Sequence, residues 1–197
     1  MTTPGSLIDD LRRVVWACRR MAFLDADGLS ALRADTNGAT RALWVLILSF
    51  PLSVSGFFRG DHDLLVGVRA PFYAAVATVL FHMVATLSLS ANAAWTAWIF
   101  GRRERLPRVV SALLWWQFAS QIVLAVLRLG LDACVWAGWM PDLATVWPEA
   151  FVESWAIWVC GWILTRGLGV PVWIAGMMVV MDMLFTAVLG SWLFQLR

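Results

Sequence analysis

Five long apolar segments follow one another along the chain, and the short stretches between them hold most of the charged residues. The segments cover about residues 42–58, 70–100, 109–140, 144–165 and 170–196. A helix needs about 20 apolar residues to cross roughly 30 Å of hydrocarbon. The pattern therefore predicts an all-α fold class, in which a polytopic bundle of five transmembrane helices forms one domain over residues 42–197.

The first 41 residues have a different pattern, with apolar positions recurring at helical spacing among charged ones. Apolar residues stand at positions 7, 8, 11, 14, 15, 18 and 21, directly after Ser6. This spacing predicts an amphipathic helix in an N-terminal segment, 1–41, that lies along the inner membrane surface. Four arginines of this helix are expected to contact anionic lipid headgroups or to dock a partner: Arg12, Arg13, Arg19 and Arg20. The alternative is that the helix packs against the protein's own bundle.

The composition excludes several classes of protein. Of the 197 residues, 61% are hydrophobic and 14% are charged, whereas a soluble domain is about 45–50% apolar and about 25% charged. A chain of this length cannot hide so much apolar surface from water, which excludes an ordinary soluble enzyme and a disordered chain. The three cysteines are scattered, without C-x-x-C spacing or a nearby histidine pair, so neither a disulfide framework nor a metal site is predicted.

The positions of the positive charges predict the orientation of the chain. All 15 basic residues are arginine; six precede the first apolar segment, four lie between the second and the third, and one follows the fourth. With five spans, these eleven lie on the same side. The positive-inside rule then places the N-terminus in the cytoplasm and the C-terminus in the periplasm, in a bacterial inner membrane. Because the arginines sit in short runs between apolar segments, no nucleic-acid partner is predicted.

Two ionisable residues lie deep inside apolar segments. His82 is about twelve residues into the second segment, and Asp182 is about twelve residues into the fifth, counted from the opposite face. Charges at membrane depth are costly and often functional. The spacing predicts that the two side chains meet near the bilayer centre, where the pair holds a proton or fixes the helix register.

A second charged cluster lies near the outer end of the bundle. Arg128 and Asp132 are four residues apart and share a helix face, and Glu153 lies in the next segment at the same side of the membrane. Arg128 is expected to pair with Asp132, with Glu153 or with both. A structural role and a substrate-binding vestibule open to the outside both fit this pattern.

Gln117 and Gln121 form a polar stripe in the third segment together with Ser120. Amides and hydroxyls on membrane helices commonly hydrogen-bond across helix interfaces. Such bonds are expected here.

The N-terminal segment and two of the apolar segments contain three short motifs: LDAD at 24–27, WWQ at 115–117 and MDM at 181–183. Together with the amphipathic N-terminal region, the five spans and the arginine-rich loop before the third span, they resemble the bacterial Yip1-type membrane proteins. The Asp-Leu-x-Gly-Pro signature of the eukaryotic members is replaced, since residues 10–13 read Asp-Leu-Arg-Arg. The resemblance implies a membrane scaffold or interaction protein without catalysis.

Two functions fit these patterns. The first is a non-enzymatic integral inner-membrane protein, a scaffold, accessory subunit or membrane-organising factor. Its partners would be anionic lipid headgroups, other subunits of a membrane complex or further copies of the chain. The alternative is a small transporter or proton-coupled carrier that uses Asp182 and His82 at mid-membrane. The sequence contains no P-loop, H-E-x-x-H or G-x-S-x-G motif, so no catalytic residue and no cofactor is assigned.

Overall fold

A computed structural model describes residues 7–32, 36–49, 51 and 71–195, and within these ranges the chain is helical and has no strand. The helices are α1 (Leu7–Ala22), α2 (Ala26–Ala31), α3 (Thr36–Ala42), α4 (Pro71–Ile99), α5 (Leu106–Trp136), α6 (Val146–Leu168) and α7 (Val172–Gln195). A turn at Leu43 separates α3 from a helical segment at 44–49. Single 3₁₀ turns at Arg103–Arg105 and Asp142–Thr145 lead into α5 and α6. The predicted all-α fold class is confirmed.

Local sequence signals explain where several helices begin and end. The Asp25 carboxylate caps α2 by accepting a hydrogen bond from the Asp27 N–H at 3.0 Å, the usual role of an aspartate at this position. Proline in the first turn of α5 needs no N–H partner. Helix α6 ends at Gly169, which has φ 69° and donates its N–H to the Thr165 carbonyl at 3.0 Å. Glycine adopts this left-handed conformation without a Cβ clash.

The four long helices pack as antiparallel neighbours. Helix α5 lies against α4 and α6, and α7 lies against α4 and α6. The indole N–H of Trp116 on α5 donates to the Ala156 carbonyl of α6 at 3.0 Å. On the other side of the bundle, the Thr96 hydroxyl of α4 lies 3.4 Å from the Met178 sulfur of α7.

Burial is concentrated at the arginine-rich end of the bundle. The buried residues of α5 all lie between Val109 and Trp116, and those of α6 between Val159 and Leu168. No residue of α5 between 117 and 136 is buried. At about 1.5 Å per residue, this stretch without a fully buried residue is roughly 30 Å long, which is one hydrocarbon thickness.

Two helical stretches of the described residues are long and apolar enough to cross a membrane: Arg103–Trp136, with a mean hydropathy of 1.7, and Val172–Leu193, with 2.1. The core helix of a soluble protein would be mostly buried, whereas only 33% and 17% of the apolar parts of these stretches are buried. The described residues therefore support two membrane spans by length and composition, fewer than the five that the sequence predicted. Part of the first predicted span, at 52–58, lies outside the described residues. In α6, the charged side chains of Glu149, Glu153 and Arg166 lower the hydropathy.

The predicted amphipathic helix is present as α1, and it packs against α5 and α6. Ala17 and Met21 are completely buried, and the Cys18 thiol lies 3.7 Å from the Trp115 carbonyl of α5. Helix α2 folds back onto α1 through Gly28, where a Cβ would lie 2.7 Å from the Ala17 carbonyl oxygen. The C-terminal part of the apolar face of α1 is thus occupied by the bundle, as the alternative interpretation of this helix predicts, whereas Leu11 and Val15 remain 43% and 68% exposed. The prediction that this face lies on lipid was wrong for its buried part, because the bundle offers it a protein surface.

Candidate functional site

His82 is buried in α4, where it contacts the helical segment at 44–49. Its Nε2 atom lies 3.0 Å from the Ser49 hydroxyl oxygen and 3.3 Å from the Leu46 carbonyl oxygen. The Ser49 hydroxyl donates its own proton to the Val45 carbonyl at 2.6 Å. Both neighbours of Nε2 therefore act as acceptors, which assigns the proton of the imidazole to Nε2. The ring ties α4 to segment 44–49.

Asp182 is half-buried in α7, and its carboxylate forms a hydrogen bond with the Ser88 hydroxyl of α4. The Ser88 hydroxyl also lies 3.0 Å from the Ala85 carbonyl of its own helix. The polar partner of the carboxylate is thus a neutral side chain on the adjacent helix, and the contact sets α7 in register with α4.

The structure gives His82 and Asp182 different partners, contrary to the predicted contact between them. Ser88, which meets Asp182, is six residues from His82 along α4, a rise of about 9 Å. Around the helix axis, two positions six residues apart differ by about 120°, so His82 and Ser88 lie on different sides of α4. The prediction counted residues from the start of each apolar segment and so placed both side chains at the same depth in the bilayer. Such a count ignores the tilt of the helices and the length of the loops.

A row of buried polar side chains follows one face of α4. His82, Thr86 and Ser90 are spaced four residues apart, and each is at most 6% exposed. The Ser90 hydroxyl has no hydrogen-bond partner within the part of the chain that the structure describes. Buried hydroxyls without a protein partner usually bind an ordered water.

Gln117 and Gln121 belong to the face of α5 that also carries Val110, Leu114 and Phe118. Those apolar residues pack against segment 44–49 and the end of α3. The side-chain oxygens of both glutamines are buried and accept no hydrogen bond from the described residues. The expected bonds across the helix interface are therefore missing for these two oxygens. The sequence could not show this, because the side-chain geometry depends on how closely the neighbouring helices approach.

Arg128 on α5 binds two glutamates of α6. Its Nε lies 2.9 Å from Glu149 Oε2, and its Nη2 lies 3.3 Å from Glu153 Oε1. The pairing with Glu153 was expected, and Glu149 is an additional partner. Asp132 lies one turn further along α5 and is exposed. At this level, where neither helix has a fully buried apolar residue, the ion pairs link α5 to α6.

Three of the four arginines proposed for docking form an exposed set on α1, the α1 arginine surface: Arg12, Arg13 and Arg19. The structure gives these three no ion pair with any described residue. Arg20 differs, since it binds Asp25 at 2.9 Å and Asp27 at 3.0 Å and lies over the Trp16 ring. Arg20 therefore stabilises the turn between α1 and α2, and its assignment as a docking residue stays a prediction.

The Cys18 thiol lies inside the interface between α1 and the bundle. Burial raises the pKa of the Cys18 thiol from 9.0 to about 12. A thiolate is the species that alkylating reagents attack. The folded protein thus keeps this thiol protonated.

We expect Cys18 to react with N-ethylmaleimide more slowly in the folded than in the unfolded protein, by about two to three orders of magnitude, because burial raises the pKa of the thiol to about 12 and lowers the fraction of thiolate. The measurement is mass-spectrometric labelling at pH 8 of a variant that carries Cys134→Ser and Cys160→Ser. Since the thiol ionises more easily when unfolded, its contribution to stability is lost as the pH rises from about 9 towards 12. A Cys18→Ala control should lack this decline. Equal labelling rates in both states would contradict the docked position of α1.

Comparisons with known proteins identify no relative. No family model, no curated protein and no solved structure matches the chain. The similarity to the Yip1-type family therefore stays a prediction, and the function has to be derived from the geometry of the site. Within the described residues there is also no group of three or more His, Cys, Asp or Glu side chains placed to hold a metal ion.

Proposed function

We propose that the chain is a non-enzymatic integral inner-membrane protein that organises lipids or partner subunits, as a scaffold or accessory subunit of the Yip1 type. The observation that carries this proposal is the division of the bundle into two parts. One end has a core closed by α1 and α2, while the other end exposes apolar side chains along α5, α6 and α7. Exposed surfaces of this extent mark contact with a membrane or another protein.

The apolar end supports insertion into a bilayer. On α7, Val180, Leu184 and Val188 follow one another at four-residue spacing and are 54–66% exposed. On α5, Val126 and Leu129 are 64% and 56% exposed. In water this arrangement would be unfavourable by about 25 cal/mol per Å² of apolar surface. In lipid that cost disappears.

The proposed topology has five spans, with the N-terminus and the loop at 100–105 in the cytoplasm. The arginines of that loop and of α1 lie at the same end of the bundle, since α1 and α2 pack where α5 begins and α6 ends. This agrees with the positive-inside rule. A fusion of alkaline phosphatase after Gly101 should be inactive and a fusion after Trp139 active. The reverse result would contradict the orientation.

The α1 arginine surface supports a docking role. The buried residues Ala17 and Met21 pack α1 on the bundle, and the three arginines of this surface are exposed. The outer part of α1 also exposes Leu11 and Val15, by 43% and 68%. A surface that combines basic and apolar side chains suits the interface of an anionic membrane or an acidic amphipathic partner.

The docking role is tested by native-size separation in mild detergent. The wild-type chain should migrate as a complex with further subunits or copies, and exchange of Arg12, Arg13 and Arg19 for glutamate should reduce the complex to the single chain. Exchange of the exposed Arg102 and Arg103 for glutamate is the matched control. A wild-type chain that migrates as a lone monomer would contradict the scaffold role.

A second candidate function, a small transporter or proton-coupled carrier, is favoured by the buried oxygens of Ser90, Gln117 and Gln121. Three buried polar atoms on α4 and α5 that have no partner among the described residues suit a path for water or protons. The test is a flux assay in proteoliposomes with Asp182→Asn and His82→Gln. A flux that neither exchange changes would exclude a carrier that uses these two side chains.

A further inference from the structure

A groove lies beside the C-terminal half of α1, where α1 crosses α5 and α6. Its volume is about 270 Å³. Ala119 and Val123 of α5 and Phe151, Trp155 and Ala156 of α6 line it, with Arg19 of α1 at its edge. The accessible lining is entirely apolar. Arg19 therefore contributes its aliphatic stem to the groove, while its charged end remains outside.

The size and lining of the groove indicate an elongated apolar occupant. Pockets that enclose a whole small ligand usually measure about 300–1,000 Å³, so this groove fits part of a longer chain. Ordered water is an unsuitable occupant, because it needs two or more polar partners. No polar atom of the lining is accessible in the groove, and the Ser120 hydroxyl donates to the Gln117 carbonyl of its own helix at 2.9 Å. The groove continues into an exposed apolar surface, since Val123 is 54% and Phe151 71% exposed, and Val126, one turn further along α5, is 64% exposed.

The charge at the edge of the groove indicates an anionic head on that occupant. Arg19 is exposed and has no ion pair with a described residue, whereas the neighbouring Arg20 is neutralised by Asp25 and Asp27. Arg12 lies two turns before Arg19 on the same face of α1. A guanidinium group binds phosphate oxygens through paired hydrogen bonds.

We propose that the groove binds one acyl chain of an anionic phospholipid, whose phosphate contacts Arg19. This inference rests on the proposed function, because it requires α1 to lie at the inner surface of a bilayer. The phosphate stays in the headgroup layer beside α1, and the chain follows the seam between α5 and α6 towards the uncovered part of the bundle. The acyl chain thus fills the groove between α5 and α6 just beyond the part of these helices that α1 covers.

The proposal is tested with the full chain in phosphatidylcholine vesicles that contain trace phosphatidylglycerol or phosphatidylcholine, spin-labelled near the end of one acyl chain. Electron spin resonance measures the fraction of each lipid that the protein immobilises. We expect the wild-type chain to prefer phosphatidylglycerol, and Arg19→Gln to lower this preference about fivefold. Arg13→Gln is the matched control, since Arg13 is equally exposed but lies about 120° away from Arg19 around α1.

Ala119→Phe fills the groove and should remove one immobilised phosphatidylglycerol per chain without changing the charge. Equal losses in Arg19→Gln and Arg13→Gln, or an unchanged fraction in Ala119→Phe, would overturn the proposal. Competition by glycerophosphate alone would overturn it too, because the head would then bind without a chain. If Ala119→Phe does not fold, the wild-type protein is crosslinked to phosphatidylglycerol that carries a photoactivatable acyl chain. Crosslinks should concentrate at 119–123 and 151–156, whereas crosslinks spread evenly over α7 would contradict the groove.

The two proposals fail in different ways. A chain that alkaline washing removes from the vesicles is no integral membrane protein, and the proposed function then fails. A chain that stays in the vesicles but shows no preference for phosphatidylglycerol contradicts only the lipid groove.

Discussion

Replacement of Gly28 by alanine is expected to lower the free energy of unfolding by about 2–3 kcal/mol and to loosen α1 from the bundle. The new Cβ would lie 2.7 Å from the Ala17 carbonyl oxygen and 2.8 Å from the Met21 nitrogen. Both are backbone atoms of α1, so no side chain can turn away to make room. Overpacking typically costs about 1–3 kcal/mol, and the rigidity of the two helices places this exchange at the upper end.

The measurement is thermal unfolding in mild detergent, followed by circular dichroism, together with the rate of proteolysis within α1. Gly161→Ala is the matched control, because this glycine lies inside α6 and a Cβ there meets no atom within 4 Å. Alanine is favoured over glycine inside a helix by roughly 0.5–1 kcal/mol, so the control should be slightly stabilised. Similar behaviour of the two variants would contradict the close packing of α2 on α1.

Exchange of Arg128 for methionine is expected to lower the free energy of unfolding by about 2–3 kcal/mol. Methionine has similar length but leaves the carboxylates of Glu149 and Glu153 facing the same space without a cation. Breaking a fully buried pair costs about 3–5 kcal/mol. The cost is smaller here, because the side chains of Arg128, Glu149 and Glu153 are 32%, 27% and 53% exposed.

Removal of the two carboxylates that Arg128→Met leaves without a cation provides the control for this exchange. Addition of Glu149→Gln and Glu153→Gln to Arg128→Met removes the uncompensated carboxylates, and most of the lost stability should return. Glu149→Gln alone should destabilise more than Glu153→Gln, because Glu149 is the less exposed of the two and its contact with Arg128 is shorter. If the triple variant is as unstable as Arg128→Met, the ion pairs are not what joins α5 and α6 at this level.

The helices could be predicted from sequence, because their apolar segments and end signals are local features. The segment predicted at 170–196 is helix Val172–Gln195. The segment predicted at 144–165 is helix Val146–Leu168, which continues three residues further and is followed by the capping residue Gly169. The amphipathic helix at the N-terminus followed from the spacing of its apolar residues. These predictions need only the period of the helix and the chemistry of its ends.

The side-chain partners could not be predicted in the same way. Ser49 and Ser88 are the hydroxyls that His82 and Asp182 meet, and neither serine differs in sequence from others inside apolar segments. Which polar groups face each other depends on the tilt and rotation of whole helices, and a shift of six residues along α4 separates the expected from the observed contact. Arg128 was easier to place, because the two glutamates lie on the helix that directly follows.

The covering of the bundle by α1 imposes an order on biosynthesis. Helix α1 leaves the ribosome before α5 and α6, yet the residues that bury Met21 and Cys18 include those of α6, which is complete only at Leu168. At about 5–20 residues per second, translation from the end of α1 to the end of α6 takes roughly 7–30 seconds. Throughout this interval the nascent chain carries an amphipathic helix whose binding surface on α6 is not yet complete, so α1 can reach its final position only after α6 has been synthesised.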